Sequence, residues 1–197
     1  MANKDLLIVV PYRNREEHLK EFLQNTPEYF RKQNLSFDIL IAELADQGDW
    51  NAGLCVNSLV EYISTKQTTY KWLYIHHVDV WPTNGIWKFP TSEQEVYFNL
   101  GDYGSCVMTL SAFLDVNGYS NSFWGWGGED NELYQKLKQS GYIVKDVSET
   151  FPVKYDTKFQ NHSRNFNGKN YANGIKQLTI LSKAQKNDIT NFHEHAN

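Results

Sequence analysis

Trp124-Gly125-Trp126-Gly127-Gly128-Glu129-Asp130 is the passage richest in chemical potential. Its three glycines let the backbone approach a ligand closely, and two indoles beside them offer flat faces suited to the C–H side of a sugar ring. Glu129 and Asp130 fall in the first turn of a helix, where the macrodipole favours ionised acids and keeps a carboxylate available as a base or hydrogen-bond acceptor. Helix capping would account for the acids alone, but not for the glycines and tryptophans around them. A second cluster is His76-His77-Val78-Asp79. His77 and Asp79 alternate, so in extended chain both point the same way. Carboxylate oxygen with imidazole nitrogen suits a borderline divalent ion such as manganese, although a lone aspartate at a strand end is more often a turn residue or cap. The third cluster is Arg13-Asn14-Arg15. Two guanidinium groups on one side of a loop match a diphosphate. The alternative is two solvated arginines opening a helix, at an end where the macrodipole disfavours cations.

These clusters need a scaffold. Leu6–Val10 is a continuous apolar run, as in a strand covered on both faces. A helix is expected from Glu16 to Arg31, with His18, Leu19, Phe22 and Leu23 on one face, then a strand over Phe37–Ala42. A second helix follows over Gly53–Ser64, with Leu54, Cys55, Leu59, Tyr62 and Ile63 buried, and a third strand over Trp72–Ile75. Strand–helix alternation implies parallel strands and right-handed crossovers. In such sheets ligands bind beyond the carboxyl ends of the strands, where the Arg13–Arg15 and His76–Asp79 clusters both fall. Beyond Pro82 and Pro90, strands are expected over Val96–Leu100, Ser105–Leu110 and Tyr142–Val147. Helices are expected over Ser111–Val116, from Glu129 to Gln139 with Gly141 as cap, and over Tyr171–Lys183. A single domain over 1–185 with a tail over 186–197 is the implied organisation.

The 197-residue chain is long enough to bury roughly 70% of its unfolded surface without a metal or disulfide staple. A net charge of −4 argues against nucleic acid as the main partner. No apolar run approaches the roughly 20 residues of a membrane span. Without a signal-peptide core, Cys55 and Cys106 are expected to be reduced thiols in a cytoplasmic protein.

Trp124–Asp130 closely resembles the WGWGGED signature of the β-1,4-galactosyltransferase family, glycosyltransferase family 7. Four further segments resemble that family in the same order: Pro11-Tyr12-Arg13-Asn14-Arg15 with His18-Leu19; Trp50-Asn51 with Asn57; Val78-Asp79-Val80-Trp81-Pro82; and His162-Ser163-Arg164. Asn117-Gly118-Tyr119 precedes the tryptophan motif at the family's spacing.

The resemblance implies an α/β, GT-A-type fold with a mostly parallel central sheet flanked by helices. It implies a UDP-sugar-dependent hexosyltransferase, galactose or N-acetylgalactosamine in type, which inverts configuration, uses Mn2+ and acts on a glycan or glycoconjugate acceptor. Carried over by position, Pro11, Arg13, Arg15, Trp50, Val78, Tyr103 and Trp126 would line the donor site. Trp126, Gly128, Glu129 and Asn131 would meet the acceptor, and Asp130 would be the catalytic base. Asp79 and His162 would hold the metal, with His77 a further candidate. The chain departs from the family pattern at several of these places. His77 replaces the first acid of D-V-D, Phe159 a methionine ligand, and Ala52 an arginine. Asn131 replaces an acid, and Ser105-Cys106 a glycine pair. The animal enzymes' anchor, stem and disulfide cysteines have no counterpart, which makes the chain a minimal soluble version of microbial or viral type. Phe159 and Ala52 motivate a rival reading, a sugar- or nucleotide-sugar-binding protein without turnover. A metal-dependent phosphohydrolase on a similar sheet would leave the Trp-Gly passage unexplained.

Overall fold

A computed structural model describes residues 3–45, 48–82, 85–100, 104–125, 127–150 and 153–155. Tyr103, Trp126, Phe159, His162, the expected helix over Tyr171–Lys183 and the expected tail lie outside those residues. Strands β1 (Asn3–Tyr12), β2 (Phe37–Glu43), β3 (Thr69–Ile75), β5 (Glu95–Asn99), β6 (Ser105–Met108) and β7 (Ile143–Asp146) form one sheet in the order β2-β1-β3-β6-β5-β7. β1 runs parallel to β2 and β3, and β5 parallel to β7, while β6 is antiparallel to both neighbours. The parallel half is the expected alternation of strand and helix. Two short strands, β4 (Val80–Pro82) and β8 (Val153–Tyr155), pair antiparallel in a separate ribbon that the sequence pattern does not announce.

Both faces of the sheet are covered, which is why β1 reads as an unbroken apolar run. Leu7 and Val9 pack with Val56, Val60 and Ile63 of α2 (Ala52–Ser64), Phe113 of α3 (Leu110–Asp115) and Leu133 and Leu137 of α4 (Glu129–Gln139). Leu6, Ile8 and Val10 face the other way, toward Phe22 and Phe30 of α1 (Glu16–Lys32) and Trp87. The buried stripe of α1 is His18, Phe22, Thr26 and Phe30, an i, i+4 ladder, whereas Leu23 is 47% exposed. On α2 the inward residues are Gly53, Cys55, Val56, Val60 and Ile63, and Tyr62 faces out. Leu23 and Tyr62 therefore sit on solvent faces, against the expectation from hydrophobicity alone.

Helix ends follow local chemistry. Thr109 starts α3 by accepting a hydrogen bond from the Ala112 amide at 3.1 Å, which ends β6 earlier than expected. After α4, Gly141 takes a positive φ of 87°. The Gly141 amide donates to Lys138 O and the Tyr142 amide to Leu137 O, the paired bonds of a Schellman turn. Among the described residues no helix is long and apolar enough to cross a membrane.

Candidate active site

β1 and β3 are adjacent and parallel, with Val9 opposite Ile75, so their carboxyl ends deliver residues 11–15 and 76–79 to one edge of the sheet. The two clusters meet there: Arg15 Nη1 lies 3.6 Å from Asp79 Oδ2. Arg13 goes elsewhere. Its Nη1 donates to Gly48 O at 2.7 Å and its guanidinium lies 5.4 Å from the Trp50 ring centre. The expectation that both arginines share one side of the loop fails because Asn14 takes a left-handed φ of 49° between them. Pro11 lies within the buried run of β1, which ends at Tyr12.

The extended geometry expected for His77 and Asp79 is also corrected. β3 ends at Ile75, and the Val80 amide donates to His77 O at 3.3 Å, closing a turn with Val78 and Asp79 at its centre. Val78 is buried in the core on the α1 face. His76 is fully buried against Phe22 and Tyr74, with Nδ1 2.5 Å from His77 O. Burial lowers its pKa to about 3, so it is a neutral core residue. His77 Nε2 is buried without a hydrogen-bond partner, and the Asp79 side chain is only 15% exposed. An orphaned imidazole nitrogen near a partly buried carboxylate fits part of a manganese-type donor set. Among the described residues no group of three or more ligating side chains gathers.

The Trp-Gly passage is held by backbone and side-chain hydrogen bonds from its neighbours. Gly125, Gly127 and Gly128 have φ values of 98°, 93° and 100°, which side-chain-bearing residues adopt at a cost. The Gly125 amide donates to Trp50 O at 2.6 Å, so the loop is tied to the segment that Arg13 also grips. Upstream, Asn57 Oδ1 accepts from the Tyr119 amide at 3.1 Å, while its Nδ2 donates to Tyr119 O at 2.9 Å and Asn121 Oδ1 at 2.8 Å. Fully buried Asn51 caps α2 through the Leu54 amide and donates to Asn121 O at 2.8 Å. Glu132 accepts from the Ser120 amide at 3.0 Å, and Lys136 donates to Gly118 O at 2.6 Å. Residues 118–121 are thus stapled between α2 and α4.

That staple places the two acids. α4 begins at Glu129 with Gly128 as N-cap. Asp130 Oδ1 accepts a hydrogen bond from the Tyr119 hydroxyl at 3.1 Å. The carboxylate also lies against the Gly104 backbone, where a Cβ would come within 2.5 Å of Asp130 Cγ. Glu129 departs from expectation: it is buried, with Oε2 unpartnered, and Asn131 beside it is exposed. Burial pushes the Glu129 carboxyl above the usual carboxylate range, against the opposing pull of its backbone hydrogen bonds and of His77. First-turn placement alone would have favoured its ionised form.

A family model described as the N-terminal region of glycosyl transferase group 7 matches residues 1–89, and one described as the N-terminal domain of galactosyltransferase matches residues 92–164. The chain belongs to glycosyltransferase group 7. It is 30% identical to pig beta-1,4-galactosyltransferase 5 over 150 residues, which is 70% of this chain and 38% of the relative. With human beta-1,4-galactosyltransferase 4 it shares 29% identity over 202 residues, 95% of this chain and 57% of the relative. It therefore spans between about two-fifths and three-fifths of the curated relatives it matches. The catalytic domain of Drosophila beta1,4-galactosyltransferase 7, solved with xylobiose, superposes with a TM-score of 0.70 at 18% identity, covering 96% of this chain and 82% of that one. A mutant of that enzyme, solved with manganese, UDP-Gal and xylobiose, gives 0.69 at 20%, covering 86% and 78%. The fold is the GT-A type expected.

In this group 7 chain, Asn51, Asn57 and Gly118 of the motifs are staples. Gly104 and Glu132 escaped the sequence reading of the site, and Tyr119 entered it only within the Asn117-Gly118-Tyr119 segment, without a role. A glycine immediately before a buried strand was the one sequence signal for Gly104. Tyr119 is a core residue whose hydroxyl reaches an acid.

Proposed function

We propose that this chain is an inverting hexosyltransferase that moves a galactose-type sugar from UDP to a carbohydrate hydroxyl, with Asp130 as the general base. The observation that carries this reading is the convergence of three group 7 segments: Arg13 on the Trp50 segment, that segment on the Gly125 amide, and the following helix turn presenting Asp130 against Gly104. Beside it, two similar structures of one fly enzyme were solved with xylobiose, one of them also with manganese and UDP-Gal.

In the proposed reaction the acceptor oxygen attacks the anomeric carbon from the face opposite UDP. The carbon–oxygen bond forms as the bond to the diphosphate breaks. Asp130 takes the hydroxyl proton late in that step, when developing bonding has acidified it, because a carboxylate is a weak base toward a free alcohol. Trp50, Pro11 and Arg13 serve the nucleotide, Arg15, beside Asp79, the diphosphate, and Tyr103 and Trp126 the donor sugar. Trp126, Gly128, Glu129 and Asn131 frame the acceptor. Mn2+, held by Asp79 with His162 and His77 as further ligands, would neutralise charge developing on the departing diphosphate. β8 supports that assignment, since Tyr155 pairs with Val80 and returns the chain beside Asp79 shortly before His162. Within this reading, residues 1–185 act as one catalytic domain.

The test is a screen of UDP-sugars and glycan acceptors with Mn2+, reading the transferred sugar's anomeric configuration by NMR. A β-linked product from an α-linked UDP-galactose supports the proposal. Nucleotide-sugar binding without transfer to any acceptor supports the non-catalytic alternative.

A further inference from the structure

We propose that Tyr119 is a positioning residue whose buried hydroxyl fixes the orientation of the Asp130 carboxylate. The inference rests on the reading of Asp130 as the base. Tyr119 is 4% exposed and packs in the core edge-on to Phe113, with ring centroids 5.9 Å apart. A core position of this kind is filled equally well by phenylalanine, and a buried hydroxyl is costly unless it finds a partner. Here the partner is Oδ1 of Asp130, at 3.1 Å.

Everything around the tyrosine is built to hold that distance. Both its backbone N–H and its carbonyl are bonded to Asn57, and Gly53 leaves room for it, since a Cβ there would come within 2.8 Å of Tyr119 Cβ. Gly104 also lies against the carboxylate, so Asp130 meets both a hydrogen-bond donor and bare backbone. The donor also keeps its proton. Burial, followed by the nearby Asp130, Cys106 and Glu129, drives the phenol well above its ordinary value. A carboxylate so held cannot swing about its side-chain torsions when the acceptor enters, which is the precision that proton transfer in the attack step needs. A hydrogen bond donated to a carboxylate favours its ionised form.

Tyr119→Phe removes the oxygen alone. The expected result is a kcat lower by about tenfold or more, the kinetic equivalent of a hydrogen bond to a charged group. Both KM values should stay within about twofold, because the change acts on the transition state and not on substrate binding. The acid limb of the kcat/KM profile should move to higher pH, a readout that a loss of packing would not produce. Wild-type kcat and an unmoved acid limb in Tyr119→Phe, alongside an inactive Asp130→Asn, would overturn the inference and leave the base assignment standing. Turnover retained in Asp130→Asn would instead overturn the reading on which it rests. A carbon-13 titration of the Asp130 carboxyl without substrates decides the hydrogen bond independently. A higher apparent pKa in Tyr119→Phe than in wild type supports it, and an identical one refutes it.

Discussion

Gly104→Ala probes the tightest approach in the site. The new Cβ would come within 2.5 Å of Asp130 Cγ, closer than real Cβ contacts ever are, so the carboxylate or the strand entry must move. The carboxylate is the softer of the two, because β6 beyond it is buried and paired on both edges. Displacement by about 1 Å takes a catalytic group out of its reactive geometry and costs on the order of 10²-fold in kcat. A separate cost falls on the fold. Gly104 has a φ of +136°, which alanine adopts at a penalty of about 1–3 kcal/mol. For a chain of this size that lowers Tm by roughly 2–12 °C. Steady-state kinetics with saturating donor and acceptor, paired with calorimetry, separate the two effects. The expectation is a much lower kcat in a protein that still melts cooperatively. A variant within about threefold of wild-type kcat would refute the packing of Asp130 against residue 104.

Asn57→Ala removes three hydrogen bonds to residues 119–121. It should cost about 2–4 kcal/mol in urea unfolding and lower kcat as well, because the staple carries Tyr119. Glu95 is held at a pKa of about 2 by Lys145 and then by hydrogen bonds from Thr91. Its folded value is depressed, so its stabilising contribution is complete above about pH 4.5 and lost as pH falls toward 2. Glu95→Gln should therefore flatten the dependence of Tm on pH across that window, and an unchanged slope would contradict the clamp. Mn2+ titrated calorimetrically should bind weakly to the free protein, where Asp79 faces Arg15, and much more tightly with UDP present. Equal affinity in both titrations would rule out a nucleotide-completed site.

The parallel half of the fold was legible because its signals are local. Leu6–Val10 needs apolar residues on both sides of one strand, and Gly128-Glu129 marks the start of α4 by conformational freedom followed by acids. The group 7 motifs put Asp79 and Asp130 forward as site residues, and the fold sets Asp79 against Arg15 and Asp130 against Tyr119 and Gly104. What escaped the sequence depends on distant partners. β4 and β8 are three residues each and exist by pairing across the chain. Arg13 and Arg15 part company because of one left-handed asparagine. Glu129 loses its expected ionised preference to burial, which first-turn position does not report. Tyr119 and Gly104 matter only because the turn before α4 brings Asp130 to both.

The central claim, that this chain turns over a UDP-sugar with Asp130 as its base, is tested most directly by multiple-turnover UDP release in wild type and Asp130→Asn. UDP-galactose, Mn2+ and a panel of glycan acceptors would be supplied at saturation. The account predicts acceptor-dependent release over many turnovers in wild type, reduced by about 10²-fold or more in the variant, with donor affinity nearly unchanged. Near-equal acceptor-dependent turnover in the two proteins, or none in wild type with any acceptor, would contradict it.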